Sequence, residues 1–111
     1  MNFLDYQHHT AKTAVYPCST TIEALSYLAL GIASEGGEIA GKVKKILRDE
    51  GGAVTLSKKN DLVSELGDVL YYVSEMAKHL GFNLEAVAKR NVDKLASRAE
   101  RGTIQGSGDN R

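Results

Sequence analysis

The sequence predicts an all-α, four-helix-bundle-like domain, and three observations lead there. Apolar residues recur at three- and four-residue steps in four stretches. Asn, Ser or Thr stands at the start of each stretch, where a side chain can accept from a free backbone N–H. Glycine, or the single proline at position 17, closes each one.

The first predicted helix covers residues 2–15, with Asn2 as N-cap and Phe3, Leu4, Tyr6, Ala11, Ala14 and Val15 as an imperfect apolar side. Tyr16-Pro17 ends it. His8 and His9 are adjacent and point about 100° apart, a poor geometry for one metal ion, so they read as surface or packing histidines.

The second helix starts after Ser19, Thr20 and Thr21. Glu23, three residues past Thr20, completes a capping-box pattern, and the helix runs to about Arg48 before Gly51-Gly52. Leu25, Leu28, Ile32, Ile39, Val43, Ile46 and Leu47 share its apolar arc. Its middle is rich in small residues, including Gly31, Gly36, Gly37 and Gly41. Each helical glycine costs roughly 1 kcal/mol against alanine. Close approach of a helix or ligand would explain the run; a break at Gly36-Gly37 or simple tolerance is the plainer alternative.

Residues 49–56 read as a loop, with Ser57 as N-cap of a third helix over 58–80 and Gly81 at its end. Val63, Leu66, Val69, Leu70, Val73, Met76, Ala77 and Leu80 form its apolar arc, bordered by Asp61, Glu65, Asp68 and Tyr72. Asn83 caps a fourth helix over 84–101, stopped by Gly102. The domain is assigned to 1–101. Residues 102–111, rich in glycine, form a flexible C-terminal tail whose backbone could alternatively fold over bound phosphate.

Composition narrows the function. A chain of 111 residues is one domain with limited area to bury, so oligomerisation through helix packing is expected. Zero net charge argues against binding a nucleic-acid polymer by bulk electrostatics. A single cysteine, Cys18, permits no internal disulfide and suits a reducing compartment. With no apolar run near membrane-spanning length, no membrane association is expected and the location reads as cytoplasmic.

Two acidic pairs, Glu35/Glu38 and Glu65/Asp68, carry the chemistry. Their number is no more than chance supplies among 14 acidic residues, so their setting must carry the argument. No Lys or Arg occurs between Lys12 and Lys42, nor between Lys59 and Lys78. Uncompensated like charges along a helix repel, so such a stripe either faces water or takes a cation. If the second and third helices pack through their apolar arcs, the border stripes meet and four carboxylates converge.

The donors are all oxygen, with no Cys or His at ligand spacing, which favours Mg²⁺ or Mn²⁺ over Zn²⁺. A di-iron bundle would carry Glu-x-x-His, which is absent. Magnesium held by a few carboxylates is commonly completed by substrate phosphates, and paired ions open in-line attack of water on phosphorus. Lys42 is placed to reach a phosphate. Asn91, Lys94, Arg98 and Arg101 share one face of the fourth helix, a basic stripe suited to polyphosphate or to water.

The sequence also resembles a known family. Glu35-Gly-Gly-Glu38, 26 intervening residues and Glu65-Leu-Gly-Asp68 resemble the E-x-x-E…E-x-x-D signature of MazG-like all-α nucleoside triphosphate pyrophosphohydrolases. Leu30-Gly-Ile-Ala-Ser-Glu-Gly-Gly-Glu38, Gly67-Asp-Val-Leu-Tyr-Tyr72 and Asn91-Val-Asp-Lys-Leu-Ala-Ser-Arg98 extend the similarity. It implies a MazG-type helical bundle that cleaves NTP or dNTP to the monophosphate and pyrophosphate with Mg²⁺. Glu35, Glu38, Glu65 and Asp68 would be metal ligands and catalytic. Lys42, Asn91, Lys94 and Arg98 would contact phosphates, and Tyr72 sugar or base. Ser34 and Tyr71 depart from the glycine and tryptophan common there. The alternative reading is a non-catalytic helical module that binds nucleotide or a basic partner.

Overall fold

Four helices and no strand make up the computed structural model, which describes residues 1–111: α1 Phe3–Ala11, α2 Thr21–Asp49, α3 Leu56–His79 and α4 Leu84–Glu100. The all-α expectation holds, and local side-chain chemistry fixes the helix ends.

Asn2 caps α1 as expected: its Oδ1 accepts from Asp5 N at 2.8 Å while the Asp5 carboxylate accepts from Asn2 N. The helix ends at Ala11, four residues earlier than the apolar pattern suggests. Lys12, Thr13 and Ala14 turn onto carbonyls three residues back, and the Thr13 hydroxyl donates to the Thr10 carbonyl at 3.1 Å. Competition by threonine for the backbone thus unwinds the chain before Pro17 is reached.

Thr20 caps α2, accepting from Glu23 N at 3.2 Å. The Glu23 carboxylate accepts from Ser19 N rather than closing the box on Thr20. The helix passes through Gly36-Gly37 without a break. The cap of α3 differs from expectation. Thr55, not Ser57, is extended and accepts from Lys58 N at 3.2 Å, so Ser57 lies inside the first turn. Gly81, at φ 80, lets Phe82 N return to the Ala77 carbonyl at 2.9 Å, and Asn83 then caps α4.

Helices α2 and α3 form the main packed pair. Their contacts step in opposite directions along the two helices, from Lys58 with Glu50 through Lys42 with Glu65 to Tyr72 with Tyr27, so they run antiparallel. On one side α1 packs on α3 and α4, and α4 touches α1 and α3 but not α2. Gln7 joins the three: its Oε1 accepts from Leu84 N at 2.8 Å and its Nε2 donates to the Ser74 carbonyl.

The buried apolar core is small, comprising Ala24, Leu28, Ile46, Ala77 and Leu84. The predicted arcs are therefore only partly covered: Leu47, Val63 and Leu66 are exposed. The radius of gyration, 16.8 Å, exceeds the roughly 13 Å of a compact domain of this length. No helix is long and apolar enough to cross a membrane.

Residues 102–111 form turns against the end of α4. Arg111 donates to the carbonyls of Thr103, Ile104 and Gly108, while Arg98 and Arg101 donate to those of Asp109 and Arg111.

Candidate metal centre

The antiparallel α2–α3 pair brings Glu35 opposite Glu65 and Asp68. One carboxylate oxygen from each lies within 4.8 Å of the other two. Glu65 and Asp68, three residues apart, project from one face of α3, and Glu35 meets them from α2. Glu35 and Glu65 are half-buried and Asp68 is exposed.

Crowding like charges has an electrostatic signature. Partial burial, followed by the negative charges of Asp68, Glu65 and Glu38, pushes the Glu35 carboxyl above the usual carboxylate range, and a hydrogen bond shared with Glu65 adds to the rise. Lys42 is the compensating side chain, its Nζ 3.3 Å from Glu65 Oε1. Carboxylate oxygens that converge with their repulsion only partly offset could hold a divalent cation.

The other residues singled out from sequence fall into three groups. Glu38 is exposed, close enough for its charge to act on Glu35 but outside the converging trio. Tyr72 borders the centre: burial, then the charges of neighbours that include Glu35 and Asp68, raise its phenol pKa. Asn91 and Lys94 are exposed on α4, which makes no contact with α2 in this protomer. Arg98 is buried, donates to the Asp109 carbonyl at 3.0 Å, and has an Nε without a partner.

Beside the carboxylates lies a cleft of about 230 Å³ that sequence reasoning did not find, lined by Thr13, Val15, Tyr16, Tyr27, Tyr71 and Tyr72. The available signal was spacing. Tyr27 stands eight residues before Glu35, two turns along the same face of α2. A second unforeseen feature is Glu75, 1% exposed and held by Thr10 and Tyr16.

The family model of the MazG nucleotide pyrophosphohydrolase domain matches residues 23–103. The chain belongs to the MazG family. Its match runs through α2, α3 and α4 and so includes every acidic residue of the centre. The chain is also 51% identical over 109 residues to the Gene 37 protein of Mycobacterium phage L5, an alignment covering 96% of each. No solved structure matches. Within this MazG domain the pairing of α2 and α3 brings three of the four signature acids together and leaves Glu38 outside the group.

Proposed function

We propose that this MazG protein hydrolyses a nucleoside or deoxynucleoside triphosphate to the monophosphate and pyrophosphate, using a divalent cation, Mg²⁺ with Mn²⁺ as substitute. The observation that carries the reading is the convergence of Glu35, Glu65 and Asp68. These residues would hold the cation, with Glu38 joining them. When bound, the cation supplies Lewis acidity toward phosphate oxygens.

The chain's own groups do the rest. A carboxylate of this cluster that the cation leaves free would accept a proton from the attacking water. Lys42 shifts from Glu65 to a phosphate oxygen once a cation takes over the carboxylates, which costs little because its present pair is partly exposed. Tyr72, beside the acids, meets the sugar or base.

Asn91, Lys94 and Arg98 supply phosphate contacts. Because α4 does not touch α2 in the protomer, Asn91 and Lys94 come to the centre from a second copy in a homodimer or homotetramer. The exposed Val87, Val92 and Leu95 on α4 and Val63 and Leu66 on α3 supply apolar area for that association. Arg98 requires the tail over it to lift.

A panel of eight NTPs and dNTPs with Mg²⁺ or Mn²⁺, with products identified, tests the reading. Pyrophosphate and monophosphate are expected. Orthophosphate as the product, or no turnover alongside calorimetric nucleotide binding, would replace the enzyme with another hydrolase or with a binding module.

A further inference from the structure

The segment joining α1 to α2, residues 12–20, is strapped to α3 at two points. Tyr71 donates its hydroxyl to the Thr13 carbonyl at 3.2 Å, and Tyr16 donates to Glu75 Oε1 at 2.9 Å. The Glu75 carboxylate is buried, with Thr10 donating to its second oxygen at 2.8 Å and Lys78 Nζ 3.4 Å from the first.

Tyr16 also lies 2.7 Å from His79 Nε2. Its one hydroxyl proton is given to Glu75, so His79 must carry a proton on Nε2 and donate to the Tyr16 oxygen. Burial, then the bond to Glu75, raises the Tyr16 phenol far above its ordinary range and keeps it protonated. The ring is thus fixed by an acceptor on one side and a donor on the other.

What the clamp fixes is one wall of the tyrosine cleft. Tyr16 stacks on Tyr27 with centroids 5.6 Å apart and planes 12° from parallel, and Tyr27 leads to Tyr72 at 6.5 Å. Tyr72 stands one helical turn past Asp68 on α3 and lies against Gly31, one turn before Glu35 on α2, so the cleft opens beside the carboxylate centre. The hydroxyls of Tyr16 and Tyr71 are spent on the protein, and the cleft presents flat aromatic faces. A planar aromatic base fits that chemistry, with the phosphates of the same molecule directed to the carboxylates.

We propose that Tyr16 is a specificity-determining residue that packs against the nucleobase, and that buried Glu75 is the positioning residue that sets its place. The proposal rests on the nucleotide-hydrolysing reading above, but its test separates the two. The full chain is labelled with 3-fluorotyrosine, whose five ¹⁹F resonances are assigned by Tyr→Phe substitution. It is then titrated with nucleoside monophosphates, ribose 5-phosphate and inorganic pyrophosphate in the presence of Mg²⁺.

Monophosphates should shift Tyr16, Tyr27 and Tyr72 and leave Tyr6, outside the cleft, in place. The two base-free probes should leave Tyr16 and Tyr27 unmoved. In kinetics, Tyr16→Phe keeps the ring but loses both tethers. It should raise KM at least fivefold, leave kcat within about twofold, and narrow the purine-to-pyrimidine ratio of kcat/KM. Glu75→Gln, which retains an acceptor for Tyr16, should fall between it and wild type.

Turnover by wild type with unchanged KM and base ratio in Tyr16→Phe would overturn the inference while leaving the enzyme reading intact. Monophosphate-induced shifts at Tyr16 and Tyr27 without turnover would uphold the cleft and remove the enzyme reading. No shift at Tyr16 or Tyr27 with any monophosphate overturns the cleft whether or not turnover is seen.

Discussion

Gly31 lies directly under the Tyr72 ring: a Cβ built there would overlap the ring carbons. This contact places Tyr72 beside the carboxylates, and it makes glycine's helix cost at this one position the condition for a close approach. At Gly41, by contrast, an added Cβ meets nothing.

The two glycines should therefore respond in opposite senses to alanine. Gly41→Ala should stabilise by about 0.5–1 kcal/mol through helix propensity. Gly31→Ala must displace Tyr72 and should destabilise by about 1–3 kcal/mol despite the same propensity gain. Urea unfolding of both variants checks this, and a stable Gly31→Ala protein would mean that the ring is not held where it is seen.

Neutralising the carboxylates should separate chemistry from folding. Glu35→Gln, Glu38→Gln, Glu65→Gln or Asp68→Asn should each lower pyrophosphate release by about 10²-fold or more, since a ligand set that acts as a unit fails when any member is lost. Helical circular dichroism should be retained. Full activity in Glu38→Gln would confine the working set to the three converging acids.

The Glu35 carboxyl links stability to pH with a definite sign. Its folded-state pKa is raised, so the folded protein holds the proton more tightly than the unfolded chain does. Without metal, stability should fall as pH rises from the ordinary carboxylate value through the raised one. Glu35→Gln should remove that component of the slope. Added Mg²⁺ binds the ionised cluster and should raise the melting temperature above that window, which thermal scans at several pH values with and without Mg²⁺ would show. A melting temperature indifferent to Mg²⁺ at every pH would make the acidic cluster a solvated surface.

The α3 cap yields a prediction about one turn of backbone. Thr55→Ala should cost about 1 kcal/mol by orphaning Lys58 N, whereas Ser57→Ala, inside the first turn, should change stability by less than about 0.5 kcal/mol. The reverse order would return the cap to Ser57.

Much of this was legible from the sequence because it depends on local chemistry. The helix periods, the caps at Asn2, Thr20 and Asn83 and the stops at Gly81 and Gly102 need only neighbouring residues. Which face of each helix is apolar led to four converging carboxylates; Glu35, Glu65 and Asp68 meet, and Glu38 does not join them.

The remainder depended on non-local partners. Ser57 and Thr55 are both competent caps, and only the path of the loop chooses between them. Nothing adjacent in sequence marks Glu75 as buried, because Thr10 and Tyr16 reach it from 65 and 59 residues away. Arg98, read from its helix face as a phosphate contact, is covered by a tail whose carbonyls it holds.

The exposed thiol of Cys18 sits on the strap two residues from Tyr16, in a chain with no other cysteine and no tryptophan. A fluorophore attached there reports on a single site without further mutagenesis and against a dark background. Opening or tightening of that connection during turnover can thus be timed in the native sequence.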